Sequence, residues 1–293
     1  MTKVIAIANQ KGGVGKTSTT VNLGAGLVRQ GFDVLLVDMD SQANLTMALG
    51  FQNPDEMQFT IANVLQKAVR EETIIPEEGI LTNEEGIDLM PSNVQLSGVE
   101  LALINEYGRE AVLKQYIDVV RLNYDYILID CAPSLSVLTI NALVAADSVL
   151  IPTQPQYFSM AGIQMFYDTF CKVKRKMNPS LQIEGVLVTM MDNRPNFTKD
   201  LVAQLRESYG DTFKVFDTEI PTSIRMSESS ARGRSIFAYD RKNKVAAAYE
   251  KLTREVIENG VHLHFCDVIP DDMKWHYSIL RPIKAASASG QSE

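Results

Sequence analysis

The stretch Lys11-Gly12-Gly13-Val14-Gly15-Lys16-Thr17-Ser18 gathers residue types that together bind phosphate. Gly12, Gly13 and Gly15, with Val14 between them, permit a tight turn that presents backbone N–H groups to phosphate oxygens. The Lys16 ammonium suits β- and γ-phosphates, and the Thr17 hydroxyl followed by Ser18 suits a Mg²⁺ ion. A helix opening at this point adds the partial positive charge of its N-terminus. Gln10 stands where the common spacing of such a loop has glycine, and Lys11 supplies a second cation beside it. A merely glycine-rich turn would not require Lys-Thr after its last glycine. Two other stretches deliver carboxylates. Val34-Leu35-Leu36-Val37-Asp38-Met39-Asp40 and Tyr126-Ile127-Leu128-Ile129-Asp130 are apolar runs ending in acid, and open α/β sheets bind ligands at such strand ends.

Positioning these groups requires a particular set of elements. Val4–Ala8, Val34–Val37, Tyr126–Ile129, Val149–Ile151 and Val186–Thr189 are short Val/Ile/Leu runs, the pattern of strands buried on both faces. Between them, Thr17–Arg29, Glu110–Leu122, Gly162–Met177 and Thr198–Tyr209 have helical spacing. The alternation predicts an α/β fold of three layers, a mostly parallel twisted sheet flanked by helices. Phe51–Glu85 is acidic and irregular, with one helix expected around Thr60–Val69, and reads as an insertion or sheet edge. Asn243–Glu258 predicts a last helix stopped by Asn259-Gly260. These boundaries place one domain over residues 1–259 and a C-terminal extension, in part disordered, over 260–293.

Composition narrows the class. The chain has 293 residues, 45% of them apolar and 22% charged, which suits a folded protein and not a disordered one. No apolar run is long enough for a membrane-spanning helix, and the start lacks a signal-peptide pattern. Cys131, Cys171 and Cys266 are few and widely spaced, so a disulfide framework is not expected and cytoplasm is the default. Residues 1–150 hold 9 Lys+Arg against 19 Asp+Glu, whereas the remainder holds 19 against 17. Arg225, Arg232, Arg234, Arg241, Lys242 and Lys244 crowd a short segment of that second half, so a net charge of −8 leaves room for a polyanion-binding face.

With its early lysine, the loop resembles the Lys-Gly-Gly-x-Gly-Lys-Thr/Ser form, a deviant Walker A, of the ParA/MinD group of P-loop ATPases. The resemblance spans roughly residues 3–258 and matches the small ParA/Soj partition ATPases. Leu138–Asp147, Ile151-Pro152-Thr153-Gln154, Gly185–Asp192 and Ile220-Pro221…Ile224-Arg225-Met226-Ser227-Glu228 carry it. Ser41-Gln42-Ala43-Asn44 stands where the family has Pro-Gln-Gly-Asn, and Cys131-Ala132-Pro133-Ser134 where it has Cys-Pro-Pro-Ser. The family then implies ATP and Mg²⁺ as cofactors and slow, partner-stimulated hydrolysis. It implies Lys11 reaching the partner subunit's nucleotide in an ATP-dependent homodimer. Asp40 would orient the attacking water, Asp38 would support the Mg²⁺ shell, and Asp130 would act on Mg²⁺ through water. Met190, Asp192 and Pro221 correspond to the adenine pocket. Arg194 and Arg225 correspond to contacts with double-stranded DNA of any sequence, while Thr222 replaces a further cation.

By the same resemblance the partner is a ParB-like centromere-binding protein and the location cytoplasmic and nucleoid-associated. No helix-turn-helix segment precedes the loop, unlike the longer autorepressing plasmid type. A nitrogenase-type iron protein would need two cluster cysteines per subunit, whereas Cys131 and Cys171 read as small buried hydrophobes. A MinD-like protein would end in a basic amphipathic membrane helix, and Pro282 interrupts the one cationic-aromatic stretch, Met273–Lys284. No membrane partner is therefore expected, and a nucleotide-gated regulator is the other alternative. His262, His264 and Cys266 lack a fourth ligand, so no metal is expected there. Trp275, Tyr277, Ile279 and Leu280 are expected to dock on the domain body.

Overall fold

A computed structural model of the chain describes residues 2–155, 159–191, 196–209 and 213–262. The first half runs β1 (Lys3–Ile7), α1 (Lys16–Arg29), β2 (Val34–Met39), α2 (Asn44–Ala48), α3 (Ile61–Val69), β3 (Leu81–Thr82), β4 (Asp88–Met90), α4 (Gln95–Leu103) and α5 (Val112–Val120). The second half continues with β5 (Tyr126–Cys131), α6 (Val137–Ala145), β6 (Ser148–Thr153), α7 (Ser159–Lys176), β7 (Gln182–Met191), α8 (Asn196–Tyr209) and β8 (Val215–Pro221). Three helices close it: α9 (Ile224–Ala231), α10 (Ile236–Tyr239) and α11 (Lys244–His262).

The strands form one sheet in the order β3-β4-β2-β5-β1-β6-β7-β8, and every pairing is parallel except β3 with β4. The central strands are buried along their whole length, which explains their unbroken apolar runs. Alternate residues feed two cores. Val4, Ala6, Leu35, Val37, Ile127 and Ile129 face a layer that includes α3, α5, α6 and α7. Ile5, Ile7, Leu36, Leu128 and Leu150 face α1, α10 and α11. Helix α1 lies close on both of its neighbours. A Cβ at Gly24 would stand 2.9 Å from Leu36, and one at Gly26 would collide with Thr253 of α11.

The expected α/β architecture is therefore present, with differences in detail. The Phe51–Glu85 region does reach the sheet edge through β3, but α3 within it is part of the main core, capped by Thr60. Helix α11 does not stop at Asn259-Gly260 and runs on to His262, across the boundary expected between 259 and 260. The Asn259 side chain ties this turn of the helix to β7 and to Lys214. Asn259 Nδ2 donates to the Glu184 backbone carbonyl and carboxylate at 3.3 and 3.2 Å, and Lys214 donates to Asn259 Oδ1 at 2.6 Å. Of the tail residues weighed for a metal, His262 ends α11, while His264, Cys266 and the residues expected to dock lie outside the described residues.

Candidate nucleotide-binding site

The turn after β1 delivers the loop to the C-terminal edge of the sheet. Asn9 braces it: its Oδ1 accepts from Lys11 N at 3.0 Å and its Nδ2 donates to Pro152 O at 2.7 Å, tying β1 to β6. Gly13 and Gly15 have φ of 69° and 85°, a region that side chains with a Cβ avoid. Gly15 is the cap of α1, whose first amides point to the same concavity. Thr189 of β7 donates to Val14 O at 2.8 Å, and Gln154 Nε2 donates to Gly13 O at 2.8 Å. The loop, carried by β1, is thus held from two further strands, β6 and β7.

Lys16 is buried, and its Nζ donates to Lys11 O at 3.1 Å, which curls the side chain back over the loop. Burial lowers its pKa, an effect that the acidic Asp130 and Asp40 nearby oppose. The expected metal pair is adjacent: Thr17 Oγ1 donates to Asp130 Oδ2 at 2.7 Å, while Thr20 Oγ1 donates to Oδ1 at 3.1 Å. Asp130 lies opposite Asp38 in the β2–β5 register, and both are fully or almost fully buried. Burial pushes the Asp130 carboxyl up to about 8, with the nearby Asp38 charge adding to the rise. Burial likewise raises Asp38 to about 7, against the hydrogen bonds from Thr46 and Asp40. Two buried carboxylates with a hydroxyl beside them form a hard oxygen donor set, suited to a small divalent cation.

Asp38 is oriented by its own loop. Its Oδ2 accepts from Thr46 N at 2.9 Å and Thr46 Oγ1 at 2.7 Å, and its Oδ1 accepts from Asp40 N at 3.2 Å. Asp40 is half-exposed at the rim, where its carboxylate accepts from Gln42 N at 3.0 Å. Met190 and Pro221 are brought together, since Met191 pairs with Pro221 and Thr222 N donates to Met191 O at 3.1 Å. Met190 has φ 53°, its side chain is exposed, and Gln154 Nε2 lies 2.7 Å from its sulfur. Arg225, on α9, is not in this cluster. It is exposed and pairs with Glu228 at 2.9 Å and more distantly with Asp240 at 4.0 Å. Asp192 and Arg194 lie outside the described residues. Asn9, Thr20 and Thr46 are functional neighbours that sequence reasoning missed, and Thr189 was named only within a strand and a family stretch. Gln154 was visible there only as part of a family stretch.

A P-loop NTPase fold carrying a phosphate loop, a buried acid at the end of the neighbouring strand and a second acidic strand end defines the class. The AAA domain family AAA_31 matches residues 2–183. The sporulation initiation inhibitor protein Soj of Bacillus subtilis (strain 168) is 43% identical over 260 residues, covering 89% of this chain and 100% of Soj. The chromosome partitioning protein ParA of Caulobacter vibrioides is 40% identical over 257 residues, covering 87% of this chain and 94% of that protein. Among solved structures, cobyrinic acid a,c-diamide synthase from Mycobacterium smegmatis with bound ATP analogue and magnesium superposes with a TM-score of 0.78. It is 34% identical, with 89% of this chain and 96% of that one covered. The chain belongs to the ParA/Soj family of P-loop ATPases.

Proposed function

We propose that this chain is an ATP-dependent DNA-partitioning protein, a molecular switch that segregates a plasmid, chromosome or integrative element. The observation that carries the reading is the convergence of Lys16, the Thr17–Asp130 pair and Asp40 on one loop-and-strand-end pocket. Lys16 and the α1 amides would bind the triphosphate, with Gly12 to Ser18 wrapping it. Thr17 and Asp130 would hold Mg²⁺, which when bound neutralises charge on the β- and γ-phosphates. Met190, Asp192 and Pro221 would line the base. Asp40, half-exposed, would orient an attacking water, and Lys11 would act across an ATP-bound dimer. Arg194 and Arg225 would contact DNA phosphates without reading bases. A ParB-like partner would stimulate hydrolysis and so release the dimer from a nucleoid-bound state. The 40% identity to a chromosome partitioning protein, ParA, supports a partition role over other uses of the fold.

The test separates chemistry from binding. Asp40→Ala should retain ATP binding and form a persistent dimer on DNA, with turnover reduced by about 100-fold, because a water-orienting group acts mainly in the transition state. Lys11→Ala should elute as a monomer with a non-hydrolysable ATP analogue that dimerises the wild type. Unchanged turnover in the first variant would remove Asp40 from its role, and an analogue-induced dimer in the second would remove Lys11.

A further inference from the structure

The acid expected to complete the Mg²⁺ shell, Asp38, is instead bound up with the loop that carries Asp40. Its Oδ2 accepts both the backbone N–H and the hydroxyl of Thr46, and its Oδ1 accepts the Asp40 N–H. The Thr46 hydroxyl, in donating to Asp38, accepts from Ser92 N at 3.1 Å, so a backbone amide of the β4–α4 loop secures it from behind. The same loop is fixed further along, where Pro91 O accepts from Ile61 N at 2.9 Å at the start of α3. Between the two ends of the Asp38–Thr46 link lies a turn that L-residues resist. Ala43 has φ 52° and is buried, at the position where the family has glycine. The turn is closed by Ala43 N donating to Asp40 O at 2.9 Å and Gln42 N donating to the Asp40 carboxylate. A strained turn persists only where its surroundings over-determine it. Here the determining contacts are Asp38, Thr46 and Ser92.

We propose that Thr46, anchored by Ser92, is a positioning residue for hydrolysis. With Asp38 it forms a latch that holds the 40–46 turn, and through it the Asp40 carboxylate, in place. The latch rests on the ATPase reading above for its consequence, but not for its existence. It assigns Asp38 to the loop and leaves Thr17 and Asp130 as the Mg²⁺ side of the site.

Thr46→Val keeps the shape and removes the hydroxyl, leaving Ser92 N–H without its acceptor and Asp38 with one donor fewer. Thr46→Ser keeps both bonds. Three quantities are read on the full chain: turnover, the Mg²⁺ midpoint for equilibrium binding of a fluorescent ATP analogue, and amide hydrogen exchange over residues 40–46. For Thr46→Val, turnover should fall by about tenfold or more while the Mg²⁺ midpoint stays within about twofold, and exchange at 40–46 should quicken. Thr46→Ser should restore most of the turnover and the protection. Thr46→Ala, which loses the same hydroxyl, is read identically should the valine variant not fold. A Mg²⁺ midpoint that rises in step with lost turnover would overturn the proposal and return Asp38 to the metal shell. Unchanged exchange at 40–46 would overturn the latch outright. A wild-type chain without turnover would sink the ATPase reading, and the exchange measurement would still decide the latch.

Discussion

Replacing Lys16 by alanine should leave the nucleotide-free protein almost unchanged and cost the ATP-bound form much of its stabilisation. Without nucleotide, the ammonium is buried, makes one hydrogen bond to Lys11 O, and has its pKa lowered by desolvation. Its removal sacrifices little and relieves the cost of a buried charge, so the melting temperature of the nucleotide-free protein should barely move. With ATP, the same ammonium would donate to phosphate oxygens in a water-poor loop. A hydrogen bond to a charged group contributes about 1.5–3 kcal/mol, and each 1.4 kcal/mol is about tenfold in affinity, so Kd should rise about 10- to 100-fold. At ATP about 100 times the wild-type Kd, binding stabilises the wild type by about 2.7 kcal/mol, and a roughly 30-fold weaker variant gains only about 0.9 kcal/mol. For a domain of this size that shrinks the ATP-induced rise in melting temperature from about 5–10 °C to about 2–3 °C. Paired thermal scans with and without Mg²⁺-ATP measure both forms at once. An undiminished ATP-induced shift would refute the phosphate role, and a collapsed nucleotide-free transition would show that Lys16 is structural.

Other outcomes follow from the same geometry. Arg225→Glu should keep ATP binding and weaken DNA binding alike for all sequences, with a salt slope shallower by about 1, read by fluorescence anisotropy across a salt series; sequence-selective loss would point to base readout. Asp130 and Asp38 are raised from 3.8 to about 8 and about 7, so the stability they contribute is complete below about pH 4 and is lost as pH rises through about 8. The Mg²⁺-free protein should therefore melt progressively lower from pH 5 to pH 8 on this account, and Asp130→Asn should flatten that trend. Gly26→Val would force α1 away from Thr253, at a cost of about 1–3 kcal/mol and a melting temperature lower by roughly 2–12 °C, with phosphate binding kept; an unchanged transition would mean that α11 yields easily.

What the amino-acid order determined by itself was local. The phosphate loop is seven consecutive residues whose glycines and lysines need no distant partner to be read, and strand and helix on either side follow from apolar periodicity. The acids at 38, 40 and 130 were legible for the same reason, as the ends of apolar runs. Short or polar elements carry no such period, so β3, β4, β8 and α2 went unread; so did α4 and α6, whose apolar residues lie on more than one face. The residues that hold the site together were decided only by the fold. Thr189 meets Val14, and Ser92 meets Thr46, because parallel strands far apart in the chain end on one edge. A threonine or serine is an ordinary residue until its partner is known, and hydrogen-bond partners are set by register. The helix stop expected at Asn259-Gly260 did not hold: α11 runs on to His262, with the Asn259 side chain bonded to Glu184 and Lys214. Burial likewise raises Asp130 by an amount that no reading of its neighbours in sequence contains, because the desolvating atoms come from β1, β2 and α1 packed around it.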